Sequence, residues 1–134
     1  VRLTLTATGT ADLELVWERY STPSLWTTWA PQIRRVECDA DSLAVGVTGT
    51  VYGVVPNIGA RFEVVEFVPE EHRWAWDVVA GPVRMHLDHR SESRIGGGTS
   101  TRLIADGPAA SVLVYAPIAR LSLESLVRAP KPGR

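Results

Sequence analysis

Lysine is almost missing from this chain: Lys131 is the only one in 134 residues. Arginine balances the acidic residues instead, and the formal net charge is -1. A chain so nearly neutral has no basic footprint for nucleic acid or for an anionic membrane surface. No run of like charges forms a tail. The near-exclusive use of arginine reads as the codon habit of a GC-rich, bacterial genome. Cysteine is equally scarce. Cys38 stands alone, so no internal disulfide can form, and a reducing cytoplasm is the expected location. No stretch approaches the roughly 20 consecutive apolar residues that cross a bilayer, so no integral membrane association is expected. The first residues lack a signal-peptide pattern, and the missing initiator methionine leaves the true start open.

Several chemical signatures are missing as well. HisLeuAspHis (86–89) has metal-binding residue types, but His86 and Asp88 share one strand face while His89 points to the other. No HExxH or cysteine pair supports it, and no metal is expected. GlyGlyGly (96–98) joins strand to strand with no GKS/T after it, so it is a turn and not a phosphate cradle. No GxSxG elbow presents a nucleophilic serine. Nothing calls for a cofactor.

What the chain has is apolar bulk. Hydrophobic residues make up 45%, with five tryptophans, enough for the core of one domain. The segment from Ala109 to Arg128 reads as one long helix, about 30 Å at 1.5 Å per residue. Val112, Tyr115, Ala116, Ala119, Leu123 and Leu126 form its stripe, with Arg120, Glu124, Ser125 and Arg128 opposite. Its first half, Val112 to Ile118, is apolar nearly all round and is expected to be covered on more than one side. Pro117 predicts a bend between Leu113 and Pro117.

Ahead of it, Arg2 to Thr8 alternates as a half-buried strand. Thr10 is the expected N-cap of a helix from Ala11 to Tyr20, and Pro23 starts a second short helix that ends before Pro31. Six strands follow by pattern: Ile33 to Asp39, Val45 to Val55, Arg61 to Val68, His72 to Val79, Val83 to Ile95 and Thr99 to Asp106. Pro56 to Gly59, Ala80 to Pro82 and Gly96 to Gly98 are turns short enough to require antiparallel neighbours. The fold class is therefore α+β: a curved antiparallel sheet around a long C-terminal helix, with two short helices after the first strand. Gly46, Gly49 and Gly53 are where curvature is expected. Residues 1–129 form one domain, and 130–134 a frayed tail.

This order, with AlaAspLeuGluLeuValTrp (11–17), TrpThrThrTrpAlaPro (26–31), GluPheValPro (66–69), ArgTrpAlaTrp (73–76) and GlyThrSerThrArgLeu (98–103), resembles the START-like superfamily. That superfamily is also called the polyketide cyclase/dehydrase and lipid-transport (SRPBCC) group. The resemblance implies a helix-grip fold with a cavity between sheet and helix. Members bind lipids, sterols, polyketides or other apolar molecules, and a minority are cyclases, aromatases or hydrolases.

Candidate site residues follow from the strand periods. Trp74, Trp76 and Val78 share one face, as do Val83, Met85, Leu87 and His89 on the longest strand. Arg84, His86, Asp88 and Arg90 are the solvated face. Trp26 and Trp29 stand three apart on the short helix that the resemblance places beside the cavity mouth. The four tryptophans are either a shared cavity wall or plain core with each indole N–H on a backbone partner. Tyr52 and Tyr115 offer hydroxyls to a ligand or serve as core rings. His89 is a polar handle, an acid/base group, or a strand-end histidine reaching water. Asp77 and Glu66 are expected to face solvent.

Two functions emerge. In the first, a small hydrophobic or aromatic molecule is bound or carried among Trp26, Trp29, Tyr52, Trp74, Trp76, Met85, His89 and Tyr115. In the second, a cyclase or aromatase shuttles protons through His89 or Tyr52 in the same cavity; the arginines that the resembling cyclases place inside have no counterpart on inward positions here. An interaction module ranks third. The expected assembly is a monomer or homodimer.

Overall fold

The computed structural model describes residues 1–53 and 59–129. Strand β1 (Arg2–Gly9) leads into α1 (Leu13–Ser21), a 3-10 turn (Pro23–Leu25) and α2 (Trp26–Trp29). Six strands follow: β2 (Arg35–Glu37), β3 (Thr48–Tyr52), β4 (Gly59–Val68), β5 (Arg73–Ala80), β6 (Val83–Ser93) and β7 (Thr99–Asp106). Helix α3 (Ala109–Leu126) closes the described chain. The strands form one antiparallel sheet ordered β1-β7-β6-β5-β4-β3-β2. The expected hairpin at Pro56 to Gly59, the end of the Val45 to Val55 strand and the tail at 130–134 lie wholly or partly outside the described residues.

Strand register turns sequence alternation into rows across the inner face. Phe67, Trp74, His89, Leu103 and Leu5 are successive partners from β4 to β1. The next row runs Val64, Trp76, Leu87, Ala105 and Leu3. A third joins Phe62, Val78 and Met85. Because side chains alternate with period two, these rows share one side of the sheet. The pairing slips between Val64 and Glu66. The extra residue, Val65, is a bulge that bends β4. Of Gly46, Gly49 and Gly53, only Gly49 lies inside a strand. A Cβ there would fall 2.7 Å from the Phe62 ring and 2.5 Å from the Glu37 carbonyl oxygen, so Gly49 admits the ring.

Two early boundaries also differ. The N-cap of α1 is Asp12, whose Oδ1 accepts from Leu15 N at 2.9 Å, and not Thr10. Ala11 cannot join the helix. Its N–H donates to the Val127 carbonyl at 3.0 Å and its carbonyl accepts from Thr99 Oγ1 at 2.8 Å. Strands β2 and β3 are shorter than their apolar patterns. Val45 to Val47 are instead in a turn tied to β4 through Gly46 N–H to Val64 O and Val64 N–H to Val47 O.

Helix α3 lays Val112, Ala119, Leu123 and Leu126 on the sheet, with Tyr115 and Ala116 half-buried beside them. Its far end is held by α1. Arg19 Nη1 donates to the carbonyls of Leu126 (2.6 Å) and Arg128 (2.8 Å), acceptors that a helix terminus leaves without intrahelical partners. The helix runs unbroken through Pro117. It is not covered all round: Leu113, Val114 and Leu121 are 64%, 70% and 60% exposed. One sheet can cover only one side of a helix, and no described second layer lies over the other. By length and a mean hydropathy of 1.2, α3 is long and apolar enough to cross a membrane, a test that the core helix of a folded domain also passes.

Candidate functional site

Between the inner rows and α3 lies a cavity of about 390 Å³, within the roughly 300–1,000 Å³ usual for small-molecule sites. Trp26, Trp29, Tyr52, Trp74, Trp76, Met85, His89 and Tyr115 all line it. No aspartate, glutamate, lysine or arginine does so among the described residues.

Trp74 and Trp76 face inward from β5 because they occupy alternate positions of the strand, opposite His89 and Leu87 of β6. His89 stacks flat on Trp74, with ring centroids 4.0 Å apart and planes within 5°. Trp76 meets Trp74 edge-on at 5.1 Å and Phe62 at 4.9 Å. Trp26 is fully buried against Trp76 and Phe62, deep under the sheet and not at an open mouth. Trp29 is half-buried and meets Tyr20 edge-on at 5.5 Å. Such aromatic pairs each add about 0.5–1.5 kcal/mol beyond area burial, which stiffens the wall.

The indoles differ in hydrogen bonding. Trp26 Nε1 donates to Tyr20 O (2.9 Å) and Trp29 Nε1 to Arg19 O (3.0 Å). Both therefore fasten the α1–α2 corner, as a structural tryptophan does. Trp74 Nε1 and Trp76 Nε1 are buried with no acceptor among the described residues. An unmet buried donor costs about 1–3 kcal/mol, so two together in one wall are unusual for plain core.

His89 does not reach water. It is 6% exposed, and its Nδ1 lies 3.3 Å from the Trp74 carbonyl. A carbonyl can only accept, so Nδ1 carries the proton and Nε2 a lone pair. Burial pushes the imidazole down to about 3, against a smaller upward pull from that hydrogen bond. His89 is thus neutral at physiological pH.

The tyrosines fall into two kinds. Tyr52 contributes its ring, while its hydroxyl donates to Glu37 Oε1 at 2.9 Å on the surface, with the Arg35 guanidinium 4.2 Å over the ring. That bond raises its pKa. Tyr115, from α3, is pushed up to about 12 by burial. Tyr20, absent from the sequence-based candidates, lines the same cavity. Its hydroxyl is 3.3 Å from Thr101 Oγ1, which lies 3.0 Å from Ser91 Oγ. Burial raises it well above the ordinary phenol range, partly offset by the Thr101 bond. In the sequence it is only the last residue of the first predicted helix, and only the tertiary fold brings α1 to this cavity. Gln32 and Ser122 were missed for a similar reason: Ser122 donates to Gln32 Oε1, linking α3 to the segment before β2 at the cavity wall.

Outside the cavity, Glu66 pairs with Arg73, and Asp77 with His86 (2.7 Å) and Arg84 (4.0 Å). Among the described residues no group of three or more His, Cys, Asp or Glu could hold a metal.

Comparison with solved structures places the fold among known ones. A protein from Nitrosospira multiformis superposes with a TM-score of 0.79 at 14% identity, covering 95% of this chain and 94% of its own. The structure of Ara h 8.0201 gives 0.76 at 9% identity, with 94% of both chains covered. A hypothetical protein from Helicobacter pylori gives 0.76 at 13% identity, covering 94% of this chain and 84% of its own. At such identities the likeness is one of fold. A search of the curated proteins finds no match. The sheet wrapped on one helix, the uncharged cavity between them and a family match over residues 1–129 agree: the chain belongs to the polyketide cyclase/dehydrase and lipid-transport family.

Proposed function

We propose that the protein binds and carries a small hydrophobic or aromatic molecule in the cavity between the sheet and α3. The observation that carries this reading is a preformed cavity of about 390 Å³ whose described lining is mainly aromatic and aliphatic and holds no aspartate, glutamate, lysine or arginine. Burying apolar ligand surface there gains roughly 25 cal/mol per Å² before the costs of association. Trp26, Trp29, Trp74, Trp76, Met85 and Tyr115 supply the contact surface, with His89 and the Gln32–Ser122 pair as its polar points.

A cyclase or aromatase reading has less support. A general acid or base works best with a pKa near the operating pH, and His89 is held near 3. The Tyr52 hydroxyl is committed to Glu37. Native mass spectrometry of gently purified protein is the first test, expected to release an apolar species on unfolding. Its companion is uptake of the uncharged reporter N-phenyl-1-naphthylamine, read by enhanced emission and tryptophan quenching. A protein that purifies empty and also refuses the reporter is not a carrier.

A further inference from the structure

The three tyrosines that border the cavity differ in what their hydroxyls meet. Tyr20 Oη lies 3.3 Å from Thr101 Oγ1, and the Tyr52 hydroxyl donates to Glu37 at the surface. In the same lining Gln32 and Ser122 bond each other, and His89 gives its Nδ1 proton to the Trp74 carbonyl. The Tyr115 hydroxyl has no partner among the described residues, yet it is not sealed: the unpartnered side-chain atoms closed off in the interior are the indole nitrogens of Trp74 and Trp76. Its direction is inward. Tyr115 stands on the face of α3 that also brings Ala119, Ser122 and Leu123 to the cavity. Its phenol oxygen is close enough to the buried Tyr20 hydroxyl to raise that group's pKa, and burial lifts its own to about 12. A hydroxyl that points inward, is not sealed and meets no protein group opens into the cavity.

We infer that the Tyr115 hydroxyl is the anchoring point of the site, donating to an uncharged carbonyl oxygen on the carried molecule. This rests on the carrier reading above and deepens it. A ligand that fills the cavity strips water from Tyr115, so it must offer an acceptor or leave the donor unmet at a cost of about 1–3 kcal/mol. The phenol stays protonated at neutral pH and so donates. A carbonyl only accepts, and it brings no proton of its own that the wall would have to satisfy. A carboxylate also only accepts, but it would lose its water in a cavity whose described lining holds no lysine or arginine to pair with it. A bare hydrocarbon leaves the hydroxyl unmet, and a site that hydrogen-bonds its ligand discriminates against analogues without the bonding group. An aromatic frame suits the remainder of the wall, which presents the rings of Trp29, Trp74 and Trp76.

The test uses the whole chain loaded with N-phenyl-1-naphthylamine and displaced at pH 7 by three molecules of one shape. These are 2-acetonaphthone, 2-isopropenylnaphthalene (a methylene in place of the carbonyl oxygen) and 2-naphthoate. The expected result is displacement by 2-acetonaphthone at about one-tenth the concentration that either of the others needs. In Tyr115→Phe that advantage over 2-isopropenylnaphthalene should shrink to within threefold, with the hydrocarbon itself binding as before. Equal potency of ketone and hydrocarbon in the unaltered protein overturns the anchor, and so does an advantage that persists in Tyr115→Phe. Equal or better binding of 2-naphthoate overturns the requirement for an uncharged acceptor. In each of these cases reporter uptake still stands, so the carrier reading survives. No reporter uptake overturns both. Should Tyr115→Phe fail to fold, the infrared carbonyl stretch of 2-acetonaphthone bound to the unaltered protein decides the matter: it should lie below its position in hexane, and an unshifted band overturns the hydrogen bond.

Discussion

Strands β5 and β6 have two faces whose chemistries share almost nothing, although both faces are built from the same two strands, of eight and eleven residues. On the outer face Asp77 holds His86 at 2.7 Å and Arg84 at 4.0 Å, all in reach of water. On the inner face, three residues from His86, His89 lies flat on Trp74 in an uncharged wall. Two histidines of one strand thus differ completely in environment. Outside, the imidazole has a carboxylate partner and solvent. Inside, desolvation governs and the ring stays neutral. The difference teaches that alternation decides which face a side chain takes, whereas its chemistry depends on what the other layers bring to that face.

The comparison breaks most visibly by truncation. Trp74→Ala should cost about 3–5 kcal/mol in urea unfolding, because the cavity it leaves lies among Tyr20, Trp26, Trp76 and His89, which cannot all collapse into it. A loss under about 1 kcal/mol would show the inner wall to be loosely packed.

Acid should reveal the inner histidine next. His89 is held at about 3 in the folded chain against an ordinary 6.5. A base with a depressed folded pKa contributes stability that is complete above the unfolded value and is lost as pH falls. The window is therefore pH 6.5 down to 3. The loss is roughly 1–2 kcal/mol per pH unit, or about 3 kcal/mol by pH 4.5. Unfolding curves across that range should show this slope in the unaltered protein and in His86→Ala, and its disappearance in His89→Phe. Persistence of the slope in His89→Phe would move its origin elsewhere.

The outer face should answer weakly. Asp77→Ala is expected to change stability by about 0.2–1 kcal/mol, the usual worth of exposed ion pairs, and the effect should shrink in high salt. Smallest of all is Leu121→Gln on the exposed side of α3, expected within about 0.5 kcal/mol of the unaltered protein by thermal melting. A large loss there would mean that this side of the helix is covered after all.

Much of the fold was legible because strand period and short turns are local. The faces of β5 and β6, the antiparallel order and the buried stripe of α3 all follow from spacing within one segment. What escaped depended on contacts between distant segments. Asp12 caps α1 because Ala11 is pinned to Val127 and Thr99, partners more than 80 residues away. The apolar side of α3 looked as if it needed a cover, since hydropathy measures how apolar a face is and not whether a layer is available for it. Among the site residues, strand alternation placed Trp74, Trp76, Met85 and His89 on the inner face that borders the cavity. Tyr20, Gln32 and Ser122 come from segments that meet only in three dimensions.

By itself the sequence determined the α+β class, the order of elements along the chain and the concentration of aromatic residues on one side of β5 and β6. Those are consequences of periodicity, and periodicity is written along the chain. Only the tertiary structure decided that the indole N–H groups of Trp26 and Trp29 are met while those of Trp74 and Trp76 are not. It alone turned the Tyr52 hydroxyl toward Glu37 and made His89 a neutral acceptor. Hydrogen-bond partners and desolvation come from the layers folded around a side chain, and no spacing within one strand encodes them.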